Sequence, residues 1–139
     1  MDWKNCAVDD LRRYKQMKVG ILNSRDKVRM LENSVKDARI ATEGHIRNSD
    51  SHIIDIIVET ERLKHNIATA EGLTSLVDRG LSTLTYDERT VLEDFYMTDN
   101  PKGAKKLRDE LGYAPRSLYR LRDGALKKFT LAMYGVELL

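Results

Sequence analysis

A single cysteine, Cys6, excludes an internal disulfide, and only two prolines and 6% aromatic side chains occur in 139 residues. A chain so built holds its fold by packing, which fits a reducing compartment. Few prolines and aromatics beside 33% charged residues suit helices better than a sheet. No apolar run approaches the ~18 residues of a membrane span. The start, MDWKNCAVDD, lacks a basic-then-apolar signal pattern, so the expected location is the cytoplasm with no membrane partner. P-loop, G-x-G-x-x-G and G-x-S-x-G patterns are missing, and with them the glycines that cradle phosphates or expose a nucleophile. His45, His52 and His65 have no Cys or carboxylate at metal-ligand spacing. The reading is therefore not an enzyme, with no cofactor and no metal. A net charge of +2 is too small for indiscriminate binding to polyanions.

Hydrophobic spacing supplies the architecture. Leu11, Tyr14, Ile21, Val28, Leu31, Val35 and Ala38 recur at three- and four-residue steps, with Lys18 and Arg25 interrupting the seam. A second stripe runs Ile53, Ile56, Ile57, Thr60, Leu63, Ile67, Ala70, Leu73, Leu76 and Val77 to about Leu81. Between them ATEGHIRNSDSH, residues 41 to 52, reads as a polar connection. Two long helices so joined fold back on each other. Their stripes are wider than a pair can cover, and this predicts self-association or docking on the rest of the chain. The middle of the second stripe, Leu63 and Ile67, is where a second subunit is expected. Gly72 and Gly80 mark either a hinge or a tolerated interruption of one continuous helix.

From Thr85 onward the pattern changes to short helices with sharp boundaries. Thr85-Tyr-Asp-Glu88 has the form of a capping box, and Val91, Leu92, Phe95 and Tyr96 follow as an apolar face. TDNPKG, residues 98 to 103, is dense in turn formers and ends that helix. Leu107 and Leu111 then stack four apart, Gly112 is placed for a left-handed stop, and Pro115 opens the next helix. In that helix Leu118, Leu121 and Ala125, widened by Leu126 and Phe129, face inward, and Arg116, Ser117, Tyr119, Arg120 and Asp123 face outward. Two short helices around a three- to four-residue turn with glycine, the second bearing arginines outside, have the form of a helix-turn-helix. The expected fold is all-α: a long helical hairpin over 1–80, then a trihelical helix-turn-helix over 81–139.

Charge divides along the same line. Residues 101–139 hold nine Lys or Arg against four acids, a net +5, and residues 85–100 hold Arg89 against five acids, a net −4. Arginine can bond guanine O6 and N7 together, so Arg116 and Arg120 are the candidates for base reading. The full set expected to contact DNA is Arg116, Ser117, Tyr119, Arg120, Asp123, Lys127, Lys128 and Lys105. The acidic first helix would be repelled by phosphates and is expected to face a protein.

LSTLTYDERTVLEDFYM followed by GAKKLRDELGYAPRSLYRLRDGALKKF resembles the sigma factor region 4 that reads the upstream promoter element. Leu84, Glu88-Arg89, Val91-Leu92, Leu107, Glu110-Leu111-Gly112, Leu118, Leu121, Arg122, Ala125-Leu126 and Lys128 fall on that pattern. Pro115, Ser117, Tyr119 and Gly124 depart from it, so the sigma promoter site is not carried over. A helical front half with this back half is similar to phage late-transcription regulators of the ArpU/RinA type, most closely over Leu81–Gly135. The resemblance implies a sequence-specific regulator that binds double-stranded DNA and activates phage or prophage late genes in a bacterial host cell. Bacterial RNA polymerase is the partner it suggests for the acidic helix. A homo-oligomer is expected from the hairpin. The alternative is a protein-only adaptor that binds polymerase through the sigma-like module. A small phage packaging subunit is a third reading, opposed by the order of the modules.

Overall fold

The computed structural model describes residues 1–41 and 48–138. Its described residues are all-α. Helix α1 spans Trp3–Ala41 and α2 spans Asn48–Ser82. Helix α3, Tyr86–Leu92, runs on into a π-helical turn, Glu93–Met97, and is followed by α4, Ala104–Leu111, and α5, Pro115–Tyr134. The long pair and the three shorter helices match the expected architecture. Helix α2 opens at Asn48, inside the segment read as a connection, and residues 42–47 lie outside the described residues. Gly72 and Gly80 interrupt nothing: α2 passes through both.

The boundaries follow local chemistry. Thr85 Oγ1 accepts from the Glu88 N–H at 3.3 Å while Glu88 Oε1 accepts from the Thr85 N–H at 3.0 Å, a complete capping box at the start of α3. The π turn closes when the Thr98 N–H donates to the Glu93 carbonyl at 3.1 Å, five residues back. Gly112, at φ 77°, donates to the Arg108 carbonyl and ends α4. Ala114 is extended, Pro115 stands in the first turn of α5, and the pair re-aims the chain within a few residues.

Contacts divide the chain into Met1–Gln16 with Leu73–Leu139, and Met17–Gly72. The first unit is thus wider than the trihelical segment. Its main core joins Ala7 and Leu11 of α1, Val77 and Leu81 of α2, Leu84, Leu92, and Ala125, Leu126 and Phe129 of α5. A smaller cluster of Val91, Leu107 and Leu118, with Leu111 and Leu121 against it, fixes α4 between α3 and α5. Each fully buried Leu or Phe contributes about 1.5–3 kcal/mol. The rings of Trp3 and Tyr134 meet at 5.0 Å, and the Tyr134 hydroxyl donates to Asp10. Burial, then that hydrogen bond, raises the Tyr134 phenol well above its ordinary range.

The unit Met17–Gly72 is a hairpin with a thin core. Ile21 and Val28 of α1 and Ile53, Ile56 and Thr60 of α2 are buried. Leu31, Val35 and Ala38, and Leu63, Ile67 and Ala70, are half-buried along the same seams. Arg25 pairs with Glu71, Lys64 with Glu32 at 3.0 Å and Lys27 with Glu59 at 3.7 Å, which fixes the antiparallel order. These exposed pairs add little stability. Large apolar side chains also point away from the seam: Leu22 is 60% exposed, Met30 68%, Ile40 66% and Ile54 58%.

Because Gly112 is left-handed, Gly112→Val places a β-branched side chain where it fits poorly. A loss of stability above ~1 kcal/mol is expected in thermal melts of the full chain. An unchanged melting temperature would show that α4 does not depend on this stop.

Candidate nucleic-acid interface

Successive residues of an α-helix are rotated by about 100°. On α5 this sets Leu118, Ala125 and Phe129 toward the core and turns Arg116, Arg120, Asp123 and Lys127 to the opposite side. All four are exposed, and so is Ser117. Arg116, Arg120 and Lys127 have no carboxylate partner among the described residues. Asp123 is held by Arg122, whose Nη2 lies 3.0 Å away. The first turn of α5 has no side-chain cap, so its leading N–H groups remain open. Lys105, on α4, is exposed and outside any described ion pair.

Other members of the expected set are tied into the fold. The Lys128 ammonium stands 2.9 Å from Glu88 Oε2, and Glu88 is only 5% exposed. Tyr119 keeps 43% of its surface in solvent, but its ring meets Phe95 edge-on at 6.3 Å. The Arg122 guanidinium lies 5.1 Å from both ring centroids, bracketed by Phe95 of the π turn and Tyr119 of α5. Arg122 and Phe95 therefore tie α5 to the π turn. Sequence spacing placed Phe95 on the apolar face of its helix but did not show its pairing with Arg122, which lies far along the chain.

The acids of α3 are used inside the unit. Asp87 accepts the Tyr113 hydroxyl at 2.8 Å, so the turn before α5 is tied to the start of α3. Asp94 is buried and accepts the Lys102 N–H at 2.8 Å. Asp99 pairs with Lys15 at 2.9 Å. Of the five acids that suggested a protein-facing surface, only Glu93 is exposed without a described side-chain partner. Most acids of this segment are thus engaged in contacts within the unit, and on α5 Arg116, Arg120 and Lys127 stay exposed outside any described ion pair.

Glu88 links both halves of this arrangement. Burial pushes its carboxyl up, but the Thr85 N–H and Lys128 outweigh burial and the net displacement is downward from 4.5. A carboxyl depressed in the folded state contributes stability above its unfolded value, and that contribution is lost as pH falls through the folded value. Gln keeps an oxygen for the Thr85 N–H, so Glu88→Gln removes the charge rather than the cap and is expected to lose at most about 1 kcal/mol at neutral pH, because Lys128 is exposed and screened. Its deficit against the wild type should shrink below pH 4.5 in chemical denaturation. A deficit independent of pH would assign the loss to shape alone.

Among the described residues no group of three or more His, Cys, Asp or Glu side chains is placed to hold a metal ion. No described helix is long and apolar enough to cross a membrane. No protein-family model, no curated protein and no solved structure matches this chain, so its site stands on its own geometry.

Proposed function

We propose that the chain is a sequence-specific DNA-binding transcription regulator that acts on phage or prophage late genes in the cytoplasm of a bacterial host. The observation that carries this reading is the outward stripe of α5. Arg116, Arg120 and Lys127 are exposed there without a described carboxylate, while most acids of the preceding segment are bound within the fold. A rigid helix with unneutralised guanidinium groups, docked on two shorter helices, suits insertion into a major groove. Arg120 is assigned to a base edge and Lys127 to phosphate, with Arg116 beside the uncapped first turn, where an oxyanion is favoured. Asp123, fixed by Arg122, would repel phosphate and so restricts how α5 can be seated.

The hairpin Met17–Gly72 is the self-association element of this proposal. Leu63 and Ile67 already lie on the seam with the buried Ile56 and Thr60, so they serve the hairpin itself. The outward side chains Leu22, Met30, Ile40, Ile54 and Val58 offer the surface a second copy would cover. A two-fold assembly would present two α5 helices to two half-sites. RNA polymerase is retained as a partner only on the resemblance to sigma region 4, since α3 offers little free acid.

Binding of the full chain to tiled duplex fragments of the DNA around its own gene, with salt varied, tests the assignment. Arg120→Ala is expected to cost about 1–3 kcal/mol on the preferred duplex and to relax preference at one base pair. Lys127→Ala should weaken all duplexes alike and lower the salt slope by about one. Equal losses on preferred and random duplexes for both variants would remove base reading. Light scattering checks assembly: Leu22→Glu with Ile54→Glu should convert an oligomer to a monomer, because a buried unpaired charge costs several kcal/mol. A wild-type monomer at tens of micromolar would end the assembly argument.

A further inference from the structure

Two glycines lie within the long helices of the unit Met1–Gln16 with Leu73–Leu139, and intramolecular packing accounts for one of them. A Cβ on Gly80 of α2 would stand 2.8 Å from the Phe129 ring and 3.3 Å from Met133 Sδ. Hydrogen is what lets α2 approach α5 there. A Cβ on Gly124 of α5 would meet no atom within 4 Å beyond its own helix. Gly124 is not among the positive-φ glycines either, so backbone conformation makes no demand for it. Glycine in a helix interior is nevertheless less stable than alanine, through the extra chain entropy it loses on folding.

What the fold leaves unexplained, an external surface can explain. Gly124 lies one turn after Arg120 and one turn before Lys127, both exposed and outside any described ion pair. The missing side chain is therefore a gap at the half-buried edge of the outward face, bordered by Arg120 and Lys127 and by Asp123, whose carboxylate Arg122 holds. We propose that the sugar–phosphate backbone of duplex DNA rests against the bare helix backbone at Gly124, letting α5 sink far enough for Arg120 to reach a base edge while Lys127 meets phosphate. This rests on the nucleic-acid reading above and adds the residue that sets the depth of docking. Close approach to a Cα–H also permits weak contacts to phosphate oxygen. A methyl group at this point would hold the strand away and lengthen the charge-assisted hydrogen bonds on both sides.

The test uses the full chain, Gly124→Ala and Gly124→Leu, with Gly20→Ala of α1 as a control, since a Cβ at Gly20 also meets nothing within 4 Å. Anisotropy titrations employ the tiled duplex that the wild type binds best and a random-sequence duplex. Gly124→Ala should melt no lower than the wild type yet bind both duplexes about tenfold more weakly, the loss of one interfacial contact. Gly124→Leu should bind more weakly again, and neither should change the salt slope, because no charge is removed. Gly20→Ala should keep wild-type affinity. Folded Gly124 variants that bind as tightly as the wild type overturn the proposal while leaving the nucleic-acid reading intact. A wild type that binds no duplex at low salt overturns both.

Discussion

Everything in the unit Met1–Gln16 with Leu73–Leu139 depends on how closely α5 is allowed to approach the end of α2. Phe129 is fully buried, and its ring lies where a Cβ on Gly80 would stand. Around that contact Leu11, Val77, Leu92 and Leu126 close the core. Thr130, also fully buried, returns its hydroxyl to the Leu126 carbonyl at 2.7 Å. Position and tilt of the outward stripe are consequences of that packing. Arg116 and Arg120 face solvent because Leu118 and Ala125 cannot.

A second layer of control is electrostatic. The unit contains a strongly acidic segment next to a strongly basic one, yet the charges are not spread over opposed surfaces. Glu88 takes Lys128, Asp87 takes the Tyr113 hydroxyl and Asp94 caps the Lys102 N–H. Each of these contacts ties α3 or its π turn to a later segment, while Arg116, Arg120 and Lys127 of α5 stay exposed outside any described ion pair. Net charge by segment thus overstated the acidic surface and understated how selectively the basic one is exposed.

Local signals were the legible part of the fold. Thr85 and Glu88, Gly112, and Pro115 fix helix ends through contacts within a few residues, and the structure places each boundary where those residues required it. Both long stripes were readable for the same reason, since burial of Ile21, Val28, Ile53 and Ile56 follows from spacing along one helix. Contacts between distant residues were not legible. Arg122 against Phe95, Tyr113 with Asp87, and the use of Ala7 and Leu11 in the core of the C-terminal helices depend on three-dimensional placement. Lys128 illustrates the difference: its sequence position matches a phosphate-binding cation, and its ammonium is engaged by Glu88.

The composition of the main core also sets an order of events during synthesis. Leu11 must wait for Leu126 and Phe129, which leave the ribosome more than a hundred residues later, whereas the buried seam of the hairpin, Ile21 and Val28 with Ile53 and Ile56, lies within residues 17–72. The hairpin can pair while the remainder of the chain is still being made, and Ala7 and Leu11 of α1 then already have Val77 and Leu81 of α2 to meet. Helices α3 to α5 then arrive at a half-built wall. Loop closure between the start of α1 and the end of α2 is thereby settled before α5 exists.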